Sequence, residues 1–171
     1  MKTLNKYTVA VLVRNRFGVL NRVTSLFRRR QFNISALTVS ETESSAFSRI
    51  TVVFEGEEGY KQQLVNQLYK LPVVCSIKEF DSDNSISCEL LLIKMQNEPD
   101  TREDIRTAAD AFGATVVDYS KDSLMLRLTD SSIKIDDFIN LMREYTILEI
   151  CRTGSVSLEK GSTTIRQQIN F

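Results

Sequence analysis

The strongest constraint on the fold is the order in which apolar periodicities change along the chain. Val9, Val11 and Val13 alternate with Thr8, Ala10 and Leu12, so residues 7–13 read as a strand, and its two fairly apolar faces make it a central one. Leu20, Val23, Leu26 and Phe27 then fall on one helical face, and that helix runs from about Val19 to Arg30. Alternation returns from Ile34 to about Glu43, with Leu37 and Val39 on one face, and again through Ile50, Val52 and Phe54. The polar stretch Thr42-Glu43-Ser44-Ser45-Ala46 between these runs predicts a hairpin. Tyr60, Leu64 and Leu68 share a face of a second helix, Pro72 stops it, and Val73 to Phe80 is a fourth strand.

After the polar linker Asp81-Ser82-Asp83-Asn84-Ser85 the order repeats. Ile86 to Met95 reads as a strand. Thr101 is the expected N-cap of a helix with Ile105, Ala108, Ala109 and Phe112 on one face, and Gly113 ends it. Thr115 to Tyr119 and Leu124 to Leu128 form a second hairpin, Ile135, Phe138, Ile139 and Met142 mark a helix, and Ile147 to Leu158 is the last strand. The predicted class is α+β: two ferredoxin-like βαββαβ domains, each a four-stranded antiparallel sheet with two helices on one face. The domains span residues 1–82 and 83–158, with 159–171 as a flexible tail. Units of this size make small cores, and Leu12 lies on the sheet face away from the helices, so a homodimer built through the first domain is expected to bury that face.

Composition removes several functions. Lys plus Arg (22) equals Asp plus Glu (22), which argues against a broad nucleic-acid surface. No apolar run approaches the length of a membrane helix, and Met1 to Lys6 lack the apolar core of a signal peptide, so a cytoplasmic protein is expected. The chain has no histidine, hence neither the commonest general base nor the commonest metal ligand. Cys75, Cys88 and Cys151 are far apart and read as buried, reduced thiols rather than zinc ligands. The acidic pairs Glu57-Glu58, Glu103-Asp104 and Asp136-Asp137 fall in or near first helical turns, where the helix dipole accounts for them. No catalytic residue and no metal site are expected.

What remains is the corner between the first strand and first helix, Asn15-Arg16-Phe17-Gly18-Val19-Leu20. Gly18 admits a backbone conformation closed to other residues, or a close approach. Amides that open a helix lack intrahelical partners and carry a positive partial charge, so such a corner can hold a carboxylate or a phosphate. An ordinary tight turn, with Asn15 satisfying its own backbone, accounts for the same residues.

The corner and several later segments resemble a known family. Asn15-Arg16-Phe17-Gly18-Val19-Leu20 is similar to the Asn-x-x-Gly-[Val/Ala]-Leu turn of ACT domains, ferredoxin-like modules that bind amino acids. Phe32-Asn33-Ile34-Ser35-Ala36-Leu37-Thr38-Val39, Phe47-Ser48-Arg49, Gln67-Leu68-Tyr69-Lys70-Leu71, Glu89 to Lys94, and Arg152-Thr153-Gly154 resemble segments of the small, regulatory subunit of acetohydroxyacid (acetolactate) synthase, in the same order. The resemblance runs from about Val9 to Leu158. It departs at Cys88, where the family has Arg before its Glu, and at Arg14 and Arg16, which add positive charge at the corner. It implies a noncatalytic subunit that activates a large catalytic subunit holding thiamine diphosphate, FAD and Mg²⁺, and that confers feedback inhibition by a branched-chain amino acid, usually valine. By the same resemblance, Asn15, Gly18, Val19 and Leu20 of one subunit and Asn33 and Ile34 of its neighbour would hold the amino acid.

Two further readings attach to the same fold. The corner loosely resembles the phosphate loop of acylphosphatase, but the asparagine that enzyme needs on a later strand has no clear counterpart. RNA binding on an open sheet would need aromatic side chains on the central strands and a basic field; Tyr7 and Phe54 do not make that pattern.

Overall fold

The computed structural model describes residues 5–81 and 83–168. The chain divides into two compact units, residues 1–86 with 154–171, and residues 87–153.

The first unit contains β1 (Asn5–Arg14), α1 (Val19–Arg29), β2 (Ile34–Glu41), β3 (Phe47–Gly56), α2 (Glu58–Leu68) and β4 (Val74–Phe80), with sheet order β2-β3-β1-β4. All its strand pairs are antiparallel. Val9, Val11 and Val13 of β1 face the helices and pack with Val23, Leu26, Phe27, Ile50, Val52, Phe54, Leu64 and Leu68. The second unit repeats the plan with β5 (Ser85–Gln96), α3 (Arg102–Phe112), β6 (Thr115–Tyr119), β7 (Ser123–Asp130), α4 (Ser132–Met142) and β8 (Ile147–Arg152), in the order β6-β7-β5-β8. Leu91, Ile93 and Met95 are its central core residues, against Ile105, Leu126, Phe138 and Met142. The α+β class and the doubled βαββαβ plan are as the periodicities predict.

The C-terminal stretch departs from expectation. The last predicted strand breaks at Thr153, and Val156–Glu159 forms a separate β9, followed by a 3-10 turn at Ile165–Gln168. Residues 154–158 group with the first unit, together with the described part of the expected tail, while β9 also pairs with β5. Ile169 to Phe171 lie outside the described residues. Gly154 makes the crossing possible: a Cβ there would lie 2.6 Å from Thr38 Oγ1 and 3.2 Å from Ala36 Cβ. Arg49 then donates to the Ser157 carbonyl at 2.5 Å and lies over the Phe80 ring. Lys78 pairs with Glu159 at 2.8 Å, and Arg166 pairs with Glu43 at 2.9 Å while stacking on Phe47. Burial pushes the Arg49 guanidinium down from its usual pKa, against a smaller opposing effect of Glu43. The sheet face away from the helices is thus covered by the chain itself. Leu12 is fully buried within its own chain, so its burial does not require a second subunit.

Three smaller expectations are refined. Thr101 stands at the N-cap of α3 as expected but makes no side-chain capping hydrogen bond, whereas Ser131 caps α4 by accepting from the Lys134 amide at 3.4 Å. Asp136 lies beyond the first turn of α4, and its partner is Arg152 at 2.5 Å. None of the three cysteines is fully buried; all are free, and Cys151 is exposed because it faces out from β8.

Arg152 and Glu89 close the second unit. Arg152 donates to Glu89 at 2.6 Å, to Asp136, and to the Ser132 carbonyl and hydroxyl, tying β8, β5 and α4 together. Burial disfavours the Arg152 charge, but the hydrogen bonds to Asp136 and Glu89 outweigh it, so its pKa is raised. Glu89 is buried, and its carboxylate is met there by the Arg152 guanidinium.

Candidate functional site

Gly18 sits at the N-cap of α1 with φ 75, the left-handed region, and no heavy atom lies within 4 Å of where its Cβ would be. Conformation, not space, is what requires glycine at this position. The helix opens with no side-chain cap and no acidic residue in its first turn. Its N-terminal partial charge is therefore unanswered by any side chain of α1. The Val19 amide is already used by the Arg16 carbonyl at 3.2 Å, which leaves the Gly18 and Leu20 amides as donors for an anion.

Asn15 is not satisfied by its own backbone. Its Nδ2 donates to Glu41 Oε1 and to the Ser45 carbonyl, each at 3.0 Å, and its amide donates to Ala46 at 2.8 Å. These bonds fasten the corner to the β2–β3 hairpin and consume the carboxamide protons, so what Asn15 can offer a ligand is its oxygen. Glu41 and Ser45 were not legible as site residues, because their part depends on which strands pair. The exposed Phe17 stands beside the opening, with Leu20 partly exposed next to it.

The structure brings Asn15, Gly18, Val19 and Leu20 together and sets Asn33 and Ile34 apart from them. Arg14 pairs with Phe47, whereas Tyr7 pairs with Phe54, and Ile34 pairs with Phe54 on its other side. Ile34 is thus level with Tyr7, seven residues along β1 from Arg14, or about 24 Å at the usual strand rise. Within one chain the two halves of the candidate site lie at opposite ends of the sheet.

Among the described residues no group of three or more His, Cys, Asp or Glu side chains could hold a metal ion, and no helix is long and apolar enough to cross a membrane.

A ferredoxin-like unit whose first helix opens on a left-handed glycine defines the class: residues 9–76 match the ACT domain of the acetohydroxyacid synthase small-subunit type. Residues 88–161 match the family described as the small subunit of acetolactate synthase. The chain is 43% identical over 157 residues to a probable acetolactate synthase small subunit of Archaeoglobus fulgidus, covering 92% of this chain and 98% of the relative. It is 40% identical to the acetolactate synthase small subunit of Bacillus subtilis, covering 92% of each. The crystal structure of the acetolactate synthase small subunit from Thermotoga maritima superposes with a TM-score of 0.85 at 31% identity, covering 93% of this chain and 99% of that one. The chain belongs to the acetolactate synthase small-subunit family. That assignment displaces the acylphosphatase-like reading of the corner.

Proposed function

We propose that this chain is the regulatory, noncatalytic subunit of an acetolactate synthase: it activates a large catalytic subunit and binds valine or another branched-chain amino acid as a feedback signal. Thiamine diphosphate, FAD and Mg²⁺ belong to that catalytic partner. The reading rests above all on the corner at Gly18. A ligand carboxylate accepts from the Gly18 and Leu20 amides at the positive end of α1, and the Asn15 oxygen accepts from the ligand ammonium.

The other half of the pocket comes from a second copy. Asn33 and Ile34 are about 24 Å from the corner of their own chain by strand rise, so only another subunit, packed in the opposite sense, can bring them to it. The homodimer is therefore proposed on the separation of the two half-sites, in place of the open sheet face. Ligand held across that interface biases the packing of two subunits, which is how occupancy reaches the enzyme.

Isothermal titration with valine, with sedimentation at the same concentrations, tests the pocket. Reconstitution with the catalytic subunit, followed by acetolactate formation over a valine titration, tests the regulation. A monomer that binds valine would end the shared-pocket model.

A further inference from the structure

The neutral composition conceals a division of charge. The first unit carries 14 basic and 9 acidic residues, a net charge of +5, and the second carries 8 and 13, a net charge of −5. The positive excess is concentrated in one stretch of the chain. From Arg14 to Ser40 the chain has six arginines and no lysine, aspartate or glutamate. Arg22, Arg28, Arg29 and Arg30 are exposed on α1 and at its end, and none of their side chains has an ion pair or hydrogen bond among the described residues. Beside them, Leu26, Arg29 and Arg30 together with Gln67, Lys70 and Leu71 line a hollow of about 380 Å³ between α1 and the end of α2.

Stabilising a helix C-terminus does not account for this. One or two cations in the last turn suffice for the dipole, whereas this surface gathers cations from the end of α1 and from the turn that follows α2 around an apolar floor of Leu26 and Leu71. An isologous contact with the same face of a second copy would set arginines against arginines. Arginine around an apolar centre is the composition of a protein–protein interface, and it fits a partner of opposite charge.

We propose that this hollow and the arginines of α1 are the surface on which an acidic segment of the catalytic partner docks. Its carboxylates pair with Arg29, Arg30 and Lys70, and an apolar side chain enters between Leu26 and Leu71. The inference rests on the regulatory reading above and names the surface it uses. It places partner and ligand on one helix, the ligand at the N-terminus of α1 and the partner at its C-terminal half, so a shift of α1 on ligand binding is felt directly at the docking surface.

The test uses the full chain with the catalytic subunit from the same source. Association is measured by biolayer interferometry at two salt concentrations, beside valine binding by the small subunit alone. Arg29→Glu/Arg30→Glu/Lys70→Glu is expected to weaken association by tenfold or more, mainly through a slower on-rate, and to flatten its salt dependence. Valine affinity should stay within twofold of the parent. Should the reversal disturb the fold, Arg29→Gln/Arg30→Gln/Lys70→Gln carries the same comparison with a smaller loss. Parent-like association and activation by a folded variant would overturn the proposal. So would preferential capture of a duplex oligonucleotide over the catalytic subunit at the same salt, or relief of the defect only by exchanging acidic residues for basic ones in a second copy of this chain. A parent chain that never associates with the catalytic subunit would instead overturn the regulatory reading itself.

Discussion

The two units share more than a strand order. In each, an asparagine follows the first strand and fastens its corner to the neighbouring hairpin: Asn15 donates to the Ser45 carbonyl, and Asn97 donates to the Ser120 carbonyl at 2.7 Å. Backbone amides repeat the contact, from Asn15 to Ala46 and from Asn97 to Asp122. The bulge recurs too, between Leu12 and Val13 and between Lys94 and Met95. The corners then part. Arg102, the first residue of α3, donates to the Asn97 oxygen at 2.7 Å and Asn97 is buried, whereas Asn15 is exposed and its helix begins with a bare glycine. Acidic residues also fill the first turn of α3, where α1 has none. A scaffold common to both units is closed by its own side chains in one and left open in the other, and the open one is the corner proposed to hold the amino acid.

The outer sheet faces differ in the same spirit. Counting from the asparagines, Leu12 corresponds to Lys94. Leu12 is sealed beneath the C-terminal stretch, while Lys94 is half-exposed and pairs with Glu149 at 3.2 Å. The largest stability difference between the units should follow from this pair. Leu12→Ala is expected to cost about 2–5 kcal/mol, the range for a buried leucine whose cavity cannot fully collapse. Lys94→Ala should cost about 0–1 kcal/mol, because a surface ion pair contributes little. Urea denaturation of both variants measures the contrast; equal costs would mean that the covered and open faces are energetically alike.

The ligand corner should respond next. Gly18→Asp adds strain of roughly 1 kcal/mol in the left-handed region and sets a negative charge where a carboxylate is to bind. Loss of one charge-assisted hydrogen bond is worth roughly 1.5–3 kcal/mol, so valine affinity should fall about tenfold to a hundredfold. Activation of the catalytic subunit should survive, since the proposed docking surface lies elsewhere on α1. Unchanged inhibition by valine would reduce the corner to a turn.

The closed corner offers the reverse experiment. Arg102→Ala leaves the buried Asn97 oxygen without its donor, and an unsatisfied buried acceptor costs about 1–3 kcal/mol. Asn15→Ala, at an exposed position, should cost less in stability but weaken valine binding. If denaturation curves rank the two variants the other way, the assignment of open and closed corners is wrong.

Much of this was legible in the sequence because burial on one side writes a period into it. Val9-Val11-Val13 and Ile105-Ala109 could be assigned without knowledge of their partners, and Gly18 and Gly113 announced left-handed turns of φ 75. What escaped depended on distant pairs. Val156 and Leu158 continue the alternation of a strand, and nothing local says that the chain has crossed to another unit; the need for glycine at 154 is set by Ala36 and Thr38. Asn15 looked like a ligand group or a self-contained turn, and the hairpin that consumes its protons becomes visible only once β2 and β3 pair. Net charge misled for a similar reason, since zero is the sum of two opposite units.

The smallest expected effect concerns how the second helix of each unit begins. In the first unit Glu57 stands at the N-cap of α2 without a side-chain capping bond. In the second, Ser131 caps α4, and Asp130 accepts from the Lys134 ammonium and the Ser131 amide, each at 2.8 Å. The hydrogen bond from Lys134 is the main cause of a lowered Asp130 pKa, with the Ser131 amide next. A carboxylate whose folded pKa lies below its unfolded value, about 3.9, contributes stability that is fully present above the unfolded pKa and lost as pH falls through the folded one. Acidification below about pH 4 should therefore loosen the start of α4 before pH reaches the folded value, by a small amount because Asp130 is largely solvated. Asp130→Asn should remove that part of the acid sensitivity while leaving the neutral-pH fold intact. Amide exchange of Lys134 and Ile135, compared between pH 6 and pH 3.5 in the parent and the variant, reads the effect locally. A parent whose α4 amides are insensitive to acid over that range would show that the Asp130–Lys134 contact contributes nothing, and that the two helix starts are equivalent after all.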